Sequence, residues 1–261
     1  MMAGNMTLSL PSEVLERIFL LLAPSDLQAV SLVCRRWAQV ATLPELWAWA
    51  RVTVTAATLA TMTTLLATRR FRATKLLRLR AVSEELLGVV VHLEGLLEVE
   101  LYAKLAGVEA ALLATLVARV PRVRMSYTQA TPQQALAIFT CLSPSSKLRH
   151  LEMENIDLSM VSPEVLGSKV AVLETALLAY TSLSTTQLTA LLTSIIKHTN
   201  LTHLDLTGNN LSGVGVELVA EGLGRVEAVE VEGCELTEEQ ASTLLTRALA
   251  LARGRRPGGQ E

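Results

Sequence analysis

The side chains best placed for chemistry are His203 and Asp205, two residues apart in a stretch of alternating apolar character, so that on a strand they share one face. A histidine beside a carboxylate can hold a metal ion or relay a proton. Here no third ligand or nucleophile stands near them in sequence, and His150 and Glu152 repeat the relation in an earlier stretch, so the pair reads as a solvated strand face. Gly208, Gly213 and Gly215 follow the same stretch without the spacing of a phosphate-cradling turn and read as turn residues. The chain has no G-x-S-x-G, no H-E-x-x-H and no phosphate loop ending in Gly-Lys-Ser/Thr. Cys34, Cys141 and Cys234 are odd in number and widely spaced, with no C-x-x-C, which argues against a zinc site or a disulfide framework and fits a reducing compartment. The expectation is a chain without catalysis, metal or cofactor.

The elements that carry these residues are repetitive. Leu201-x-x-Leu204-x-Leu206-x-x-Asn209-x-Leu211 recurs as Val226, Val229, Val231, Cys234 and Leu236, and again as Leu148, Leu151, Met153, Ile156 and Leu158. Weaker copies start at Leu173, Val120 and Leu96, and an irregular one surrounds Leu77 and Leu79. The starts at 96, 120, 148, 173, 201 and 226 leave room for a helix between successive strands, and Ser184–His198 and Ser212–Leu223 have helical periodicity. Lys104, Thr128, Ile156 and Thr181 occupy the asparagine slot elsewhere. The pattern resembles leucine-rich repeats, which implies a solenoid with parallel strands on the concave side and helices on the convex side. Such an interior explains a chain that is half apolar with only 3% aromatic residues. No apolar run reaches the ~18 residues of a spanning helix, since Leu86–Leu97 is broken by His92 and Glu94, and no signal-peptide core is present. A net charge of −2 argues against nucleic acid as a partner.

The first fifty residues differ. All three tryptophans, Trp37, Trp47 and Trp49, fall there. Val14, Leu15, Ile18, Phe19 and Leu22 have helical spacing after Pro11; Pro24 stops that helix, and Ser25 with Gln28 forms a capping box for a second through Leu27, Val30 and Val33. The order Leu10-Pro11-x-Glu13-Val14-Leu15, Ile18-Phe19, Leu22, Asp26-Leu27, Ser31 to Trp37, Pro44-x-Leu46-Trp47 resembles an F-box throughout. The resemblance implies binding to the Skp adaptor, and through it to a cullin scaffold, by Leu10, Pro11, Glu13, Val14, Ile18, Phe19, Leu27, Leu46 and Trp47. Leu15, Leu32, Val33 and Trp37 are expected to serve packing, and Cys34 to be a small buried hydrophobe.

The expected architecture is therefore α/β: a small helical F-box at 8–51, a helical linker at 52–74 with a helix over Thr55–Thr68, a leucine-rich-repeat solenoid of six to seven repeats at 75–252, and a disordered tail at 253–261 with Arg253, Arg255 and Arg256. Outward strand positions alternate in sign, from Arg78 and Arg80 to Glu98 and Glu100, Arg122 and Arg124, then Glu152 and Glu154, and these rows are expected to pair across the sheet. Beyond them Tyr180, His203, Asp205, Glu230 and Glu232 face no arginine row and are the expected substrate-binding residues, suited to a basic segment. Taken with the resemblance, the leading reading is a substrate-recruiting adaptor of an SCF-type ubiquitin ligase, cytoplasmic or nuclear. A non-degradative F-box scaffold and a leucine-rich-repeat enzyme inhibitor are the alternatives.

Overall fold

The computed structural model describes residues 10–254 except 23, 49, 50, 69, 70 and 144, and excludes the side chains of 24, 25, 28 and 248–254 as well. The chain divides into two compact units, Met1–Val99 and Glu100–Glu261. Among the described residues no helix is long and apolar enough to cross a membrane.

The first unit opens with four short helices, α1 (Ser12–Phe19), α2 (Pro24–Ser31), α3 (Arg35–Ala41) and α4 (Pro44–Trp47). Pro24 begins α2, so Ser25 falls inside its first turn and not at the capping position expected for it. Cys34 caps α3, its sulfur accepting from the Trp37 backbone N–H at 3.5 Å. Leu15, Phe19 and Leu27 are buried, with the Phe19 and Trp37 rings edge to face at 5.4 Å between centroids. The buried Trp47 indole N–H donates to the Ala41 carbonyl at 2.8 Å, and its ring meets Phe71 at 5.4 Å.

The region expected to be a helical linker begins with a strand. β1 (Arg51–Val54) alternates exposed and buried residues and pairs in parallel with β2 (Leu76–Leu79), Arg51 opposite Leu76. That offset of 25 is itself a repeat step, so the repeating pattern reaches back to residue 51. The helix between them, α5 (Leu59–Leu66), is shorter than the Thr55–Thr68 expected. Thr55 and Thr58 bind one another's backbone and side chains in a turn, which competes with helix formation there. Helix α6 (Glu84–Val90) follows, capped by Ser83, and β3 (Glu98–Leu101) spans the boundary between the units.

The second unit continues with α7 (Ala110–Arg119), β4 (Arg122–Ser126), α8 (Pro132–Cys141), β5 (His150–Glu154), α9 (Pro163–Val170), β6 (Thr175–Leu177), α10 (Thr185–Lys197), β7 (His203–Asp205), α11 (Val216–Leu223), β8 (Ala228–Glu230) and α12 (Glu238–Gly254). Strands β4 to β8 pair in parallel in chain order. Their register runs through Arg122, His150, Thr175, His203 and Ala228, steps of 28, 25, 28 and 25. These are the steps read from the leucine pattern. Alternate strand residues such as Val123, Met125, Leu151, Met153, Ala176 and Leu204 are buried, as is one face of each helix, represented by Leu188, Leu191, Leu192 and Ile195 in α10. Gly167 lets α9 approach α10 closely, because a Cβ there would lie 2.7 Å from the Ala190 carbonyl oxygen. Helix α11 starts later than the expected Ser212 because the Asn210 side chain binds the Ser212 backbone N–H and holds a turn. Helix α12 runs to Gly254, past the expected start of the tail; the rest of that tail, Arg255 and Arg256 included, lies outside the described residues, as does Trp49.

The alternation of step lengths has a structural counterpart. The longer steps carry the longer helices, α8 with 10 residues and α10 with 13, against 8 each in α9 and α11. Gln134, Gln187 and Gln240, each 53 residues from the next, are buried near the starts of α8, α10 and α12. Each Oε1 accepts from a backbone N–H, that of Thr131, Ser184 or Thr237. Each Nε2 donates to two loop carbonyls of an earlier repeat: Leu105 and Val108, Leu158 and Val161, Leu211 and Val214. The structural period is thus a pair of repeats.

In the asparagine slot, Asn209 donates to the Leu178 and Leu206 carbonyls and accepts from the Leu183 N–H, while Cys234 donates its thiol hydrogen to the Leu206 carbonyl. Ala103, not Lys104, fills this slot after β3. Ala103 is buried and Lys104 exposed, because the turn there is one residue shorter than those after β4 and β6.

Replacing Gln187 by Ala leaves the Ser184 N–H and the Leu158 and Val161 carbonyls without these partners. A loss of at least ~2 kcal/mol is expected, read from the urea midpoint, with no loss for Gln133→Ala on the exposed side of α8.

Candidate functional site

Two surfaces stand out, one in each unit. In the first, the sequence-derived interface residues divide. Leu10 is half-buried and Pro11, Glu13, Val14 and Ile18 are exposed on the loop and first helix, with the Leu10 carbonyl accepting from the Arg36 guanidinium. Phe19, Leu27, Leu46 and Trp47 are buried. They pack in the interior and present no surface, because four short helices can bury few large side chains and these are among them. The correction runs the other way for Leu32 and Val33, expected in the core. They are 87% and 62% exposed on the turn between α2 and α3, and Leu21, just past α1, is 86% exposed. Val14, Ile18 and Leu21 follow one another at helical spacing. Exposed large apolar side chains at this density mark a contact surface more often than chance exposure.

The geometry of this segment agrees with its sequence likeness. Residues 7–52 match the F-box-like family. Comparison with curated proteins returns no match. F-box domains generally bind Skp-type adaptors. In this segment Pro11, Glu13, Val14, Ile18, Leu21, Leu32 and Val33 are all exposed.

The second surface is the strand face of the second unit that bears the polar side chains. An open groove of ≈ 420 Å³ is lined by Arg122, Arg124, His150, Glu152, His203 and Glu230 among others. The expected charge pairing holds at Arg124 and Glu152, which are opposite one another in register with 3.6 Å between Nε and Oε2. An exposed pair of this kind contributes only about 0–1 kcal/mol. At the end of β5, Glu154 accepts from the Tyr127 hydroxyl at 2.9 Å. Glu154, by that hydrogen bond and then by its charge, holds the Tyr127 phenol above its ordinary pKa.

The expected substrate residues are only partly gathered. His203 and Glu230 line the groove, and Asp205 stands opposite Glu230 in register. Asp205 Oδ1 accepts from the Thr207 N–H at 2.8 Å. Tyr180 and Glu232 lie beyond the strand ends, in the turns after β6 and β8. His150 and His203 share a register position through Thr175, yet His150 Nδ1 is taken up by the Thr175 hydroxyl at 2.9 Å and His203 Nδ1 by the Thr202 hydroxyl at 3.0 Å. Among the described residues no group of three or more His, Cys, Asp or Glu could hold a metal ion.

The sequence reading missed the turns themselves. Tyr127, Asn155, Tyr180, Gly208 and Gly233 occupy one position in successive repeats, and all five have left-handed backbone, with φ of 57°, 56°, 55°, 70° and 64°. Glycine and asparagine adopt this conformation cheaply, whereas for tyrosine it costs about 1 kcal/mol. The recurrence of tyrosine at steps that sum to the two-repeat period was the signal available in the sequence.

The three thiols differ in environment. Cys141 is exposed, Cys34 is half-buried, and burial pushes the Cys234 thiol above its ordinary pKa against the opposing pull of the Asn209 and Gly208 backbone. Iodoacetamide at mildly alkaline pH is expected to label Cys141 in the native protein and Cys234 only after denaturation, as read by peptide mass spectrometry. Equal labelling of the two in the native state would contradict this packing.

Proposed function

We propose that the protein is a substrate-recruiting adaptor of an SCF-type ubiquitin ligase. The F-box-like segment docks on the Skp adaptor and thereby on a cullin scaffold. The repeat unit, which we assign to the leucine-rich-repeat type, holds a protein partner. The chain performs no bond chemistry of its own and acts by proximity, keeping a partner lysine near a ubiquitin-charged enzyme. The observation that carries the reading is the family match at 7–52 on a segment whose Leu21, Leu32 and Val33 project into solvent. The L-x-x-L-x-L pattern and the 28- and 25-residue parallel steps support the repeat assignment.

Complete burial of one leucine is worth about 1.5–3 kcal/mol. Leu32→Asp combined with Val33→Asp is therefore expected to weaken capture of the purified Skp adaptor by about tenfold or more, with an unchanged circular dichroism spectrum. Replacing Leu10 and Pro11 together by Ala is expected to act in the same direction. Capture that survives both double variants would refute this surface as the docking site. Ubiquitylation of a bound partner by the reconstituted ligase separates the adaptor from a non-degradative scaffold. Failure of the wild-type chain to bind the Skp adaptor at all would favour a repeat-mediated inhibitor.

A further inference from the structure

The chain has three tyrosines, Tyr102, Tyr127 and Tyr180, and all three lie on one edge of the second unit, each in the turn that follows its strand. They are 37%, 67% and 52% exposed in a protein that otherwise exposes few large rings. Two of them are also held in place. The Tyr127 hydroxyl is bound to Glu154, which belongs to the next strand. The Tyr180 ring lies over Gly208 of the next turn, so close that a Cβ there would fall 2.3 Å from its Cδ1. Aromatic side chains fixed before contact lose little entropy when a partner arrives. The left-handed backbone that carries them is one in which the later repeats use Gly208 and Gly233 at no steric cost.

Charge decides what this edge receives. Segments 151–161, 176–184, 204–214 and 229–236, the strands β5 to β8 and the turns after them, contain no lysine or arginine. They contain Glu152, Glu154, Asp157, Asp205, Glu230, Glu232 and Glu235. Glu152 is paired with Arg124, whereas the strands and turns that carry Glu230 and Glu232 bring no lysine or arginine of their own. A cation over a tyrosine face is attracted by the ring, and carboxylates nearby add to that attraction.

We propose that this tyrosine edge is the docking site for an extended, arginine- or lysine-bearing peptide segment, with Tyr127 and Tyr180 as twin anchors. The proposal rests on the second unit being the partner-holding part of the adaptor and names the chemistry of the partner. Tyr127 and Tyr180 are two strand spacings apart, roughly 10 Å, which an extended chain spans in about three residues. The segment that fits best therefore places cationic side chains three apart.

The test uses the full chain and a fluorescein-labelled peptide with arginine at every third position among glycine and serine. The controls are the same peptide with glutamate for arginine, and one with arginines adjacent. Anisotropy titration is expected to show binding of the spaced arginine peptide alone at moderate salt. Tyr127→Ala with Tyr180→Ala should weaken it by about tenfold or more, and Tyr127→Phe with Tyr180→Phe should retain most of it. No binding by the wild-type chain, equal binding by the double alanine variant, or equal binding of the glutamate peptide would overturn the proposal. Equal affinity for the peptide with adjacent arginines would overturn the spacing. An unchanged circular dichroism spectrum and urea midpoint establish that the tyrosine variants are folded, while capture of the Skp adaptor, measured on the same samples, reports separately on the adaptor reading: its absence from the wild type counts against that reading alone.

Discussion

Stacking one repeat on the next buries the loop carbonyls that join strand to helix, and the second unit depends on how those groups are satisfied. A buried carbonyl without a donor costs more than most side-chain contacts return. Gln134, Gln187 and Gln240 meet this need with one side chain per pair of repeats, each capping its own helix while donating to two carbonyls of an earlier repeat. The capping box and the inter-repeat tie are therefore the same interaction. Helix start and repeat spacing are fixed together, which accounts for a period of 53 residues where the leucine pattern alone shows 28 and 25.

With these loop carbonyls satisfied, the strand ends and turns are released for other uses. Left-handed turns at Tyr127, Asn155, Tyr180, Gly208 and Gly233 bring a row of side chains to one edge. Where the residue is glycine the edge is flat, and the flat position at Gly208 is what admits the Tyr180 ring. Packing and surface chemistry are coupled at this point: the absence of a side chain in one repeat holds an aromatic ring of its neighbour in place. The Arg124–Glu152 pair neutralises part of the strand face, and the acidic character grows beyond β5 where arginine is missing.

The F-box-like segment works by a different economy. Its core is small and rich in rings, with Phe19 against Trp37 inside the segment and Trp47 against Phe71 from beyond it. Because those rings close the core, Leu21, Leu32 and Val33 remain outside it. An apolar side chain that a small core has no room for is available to another protein, and in this module the surplus is concentrated on the turns.

Much of the architecture was legible in the residues. The leucine spacing determined the parallel steps from 122 onward, because each strand must bury the same alternate positions, and the proline, cysteine and tryptophan landmarks determined the helical start. The threonine or serine followed by glutamine at 131, 184 and 237 was equally legible in the sequence, but its second role, as a tie between repeats, exists only once the repeats are stacked. Strand β1 escaped detection because four alternating residues carry little signal until β2 lies beside them. Which apolar residues of the F-box-like segment face outward was decided by tertiary packing alone. Leu27 and Leu32 stand five residues apart in an apolar stretch, yet Leu27 is buried and Leu32 lies in solvent. The sequence by itself determined the order and period of the elements, which follow from local periodicity. The accessible surfaces of the two units depend on contacts between residues far apart in the chain, and only the folded structure settles them.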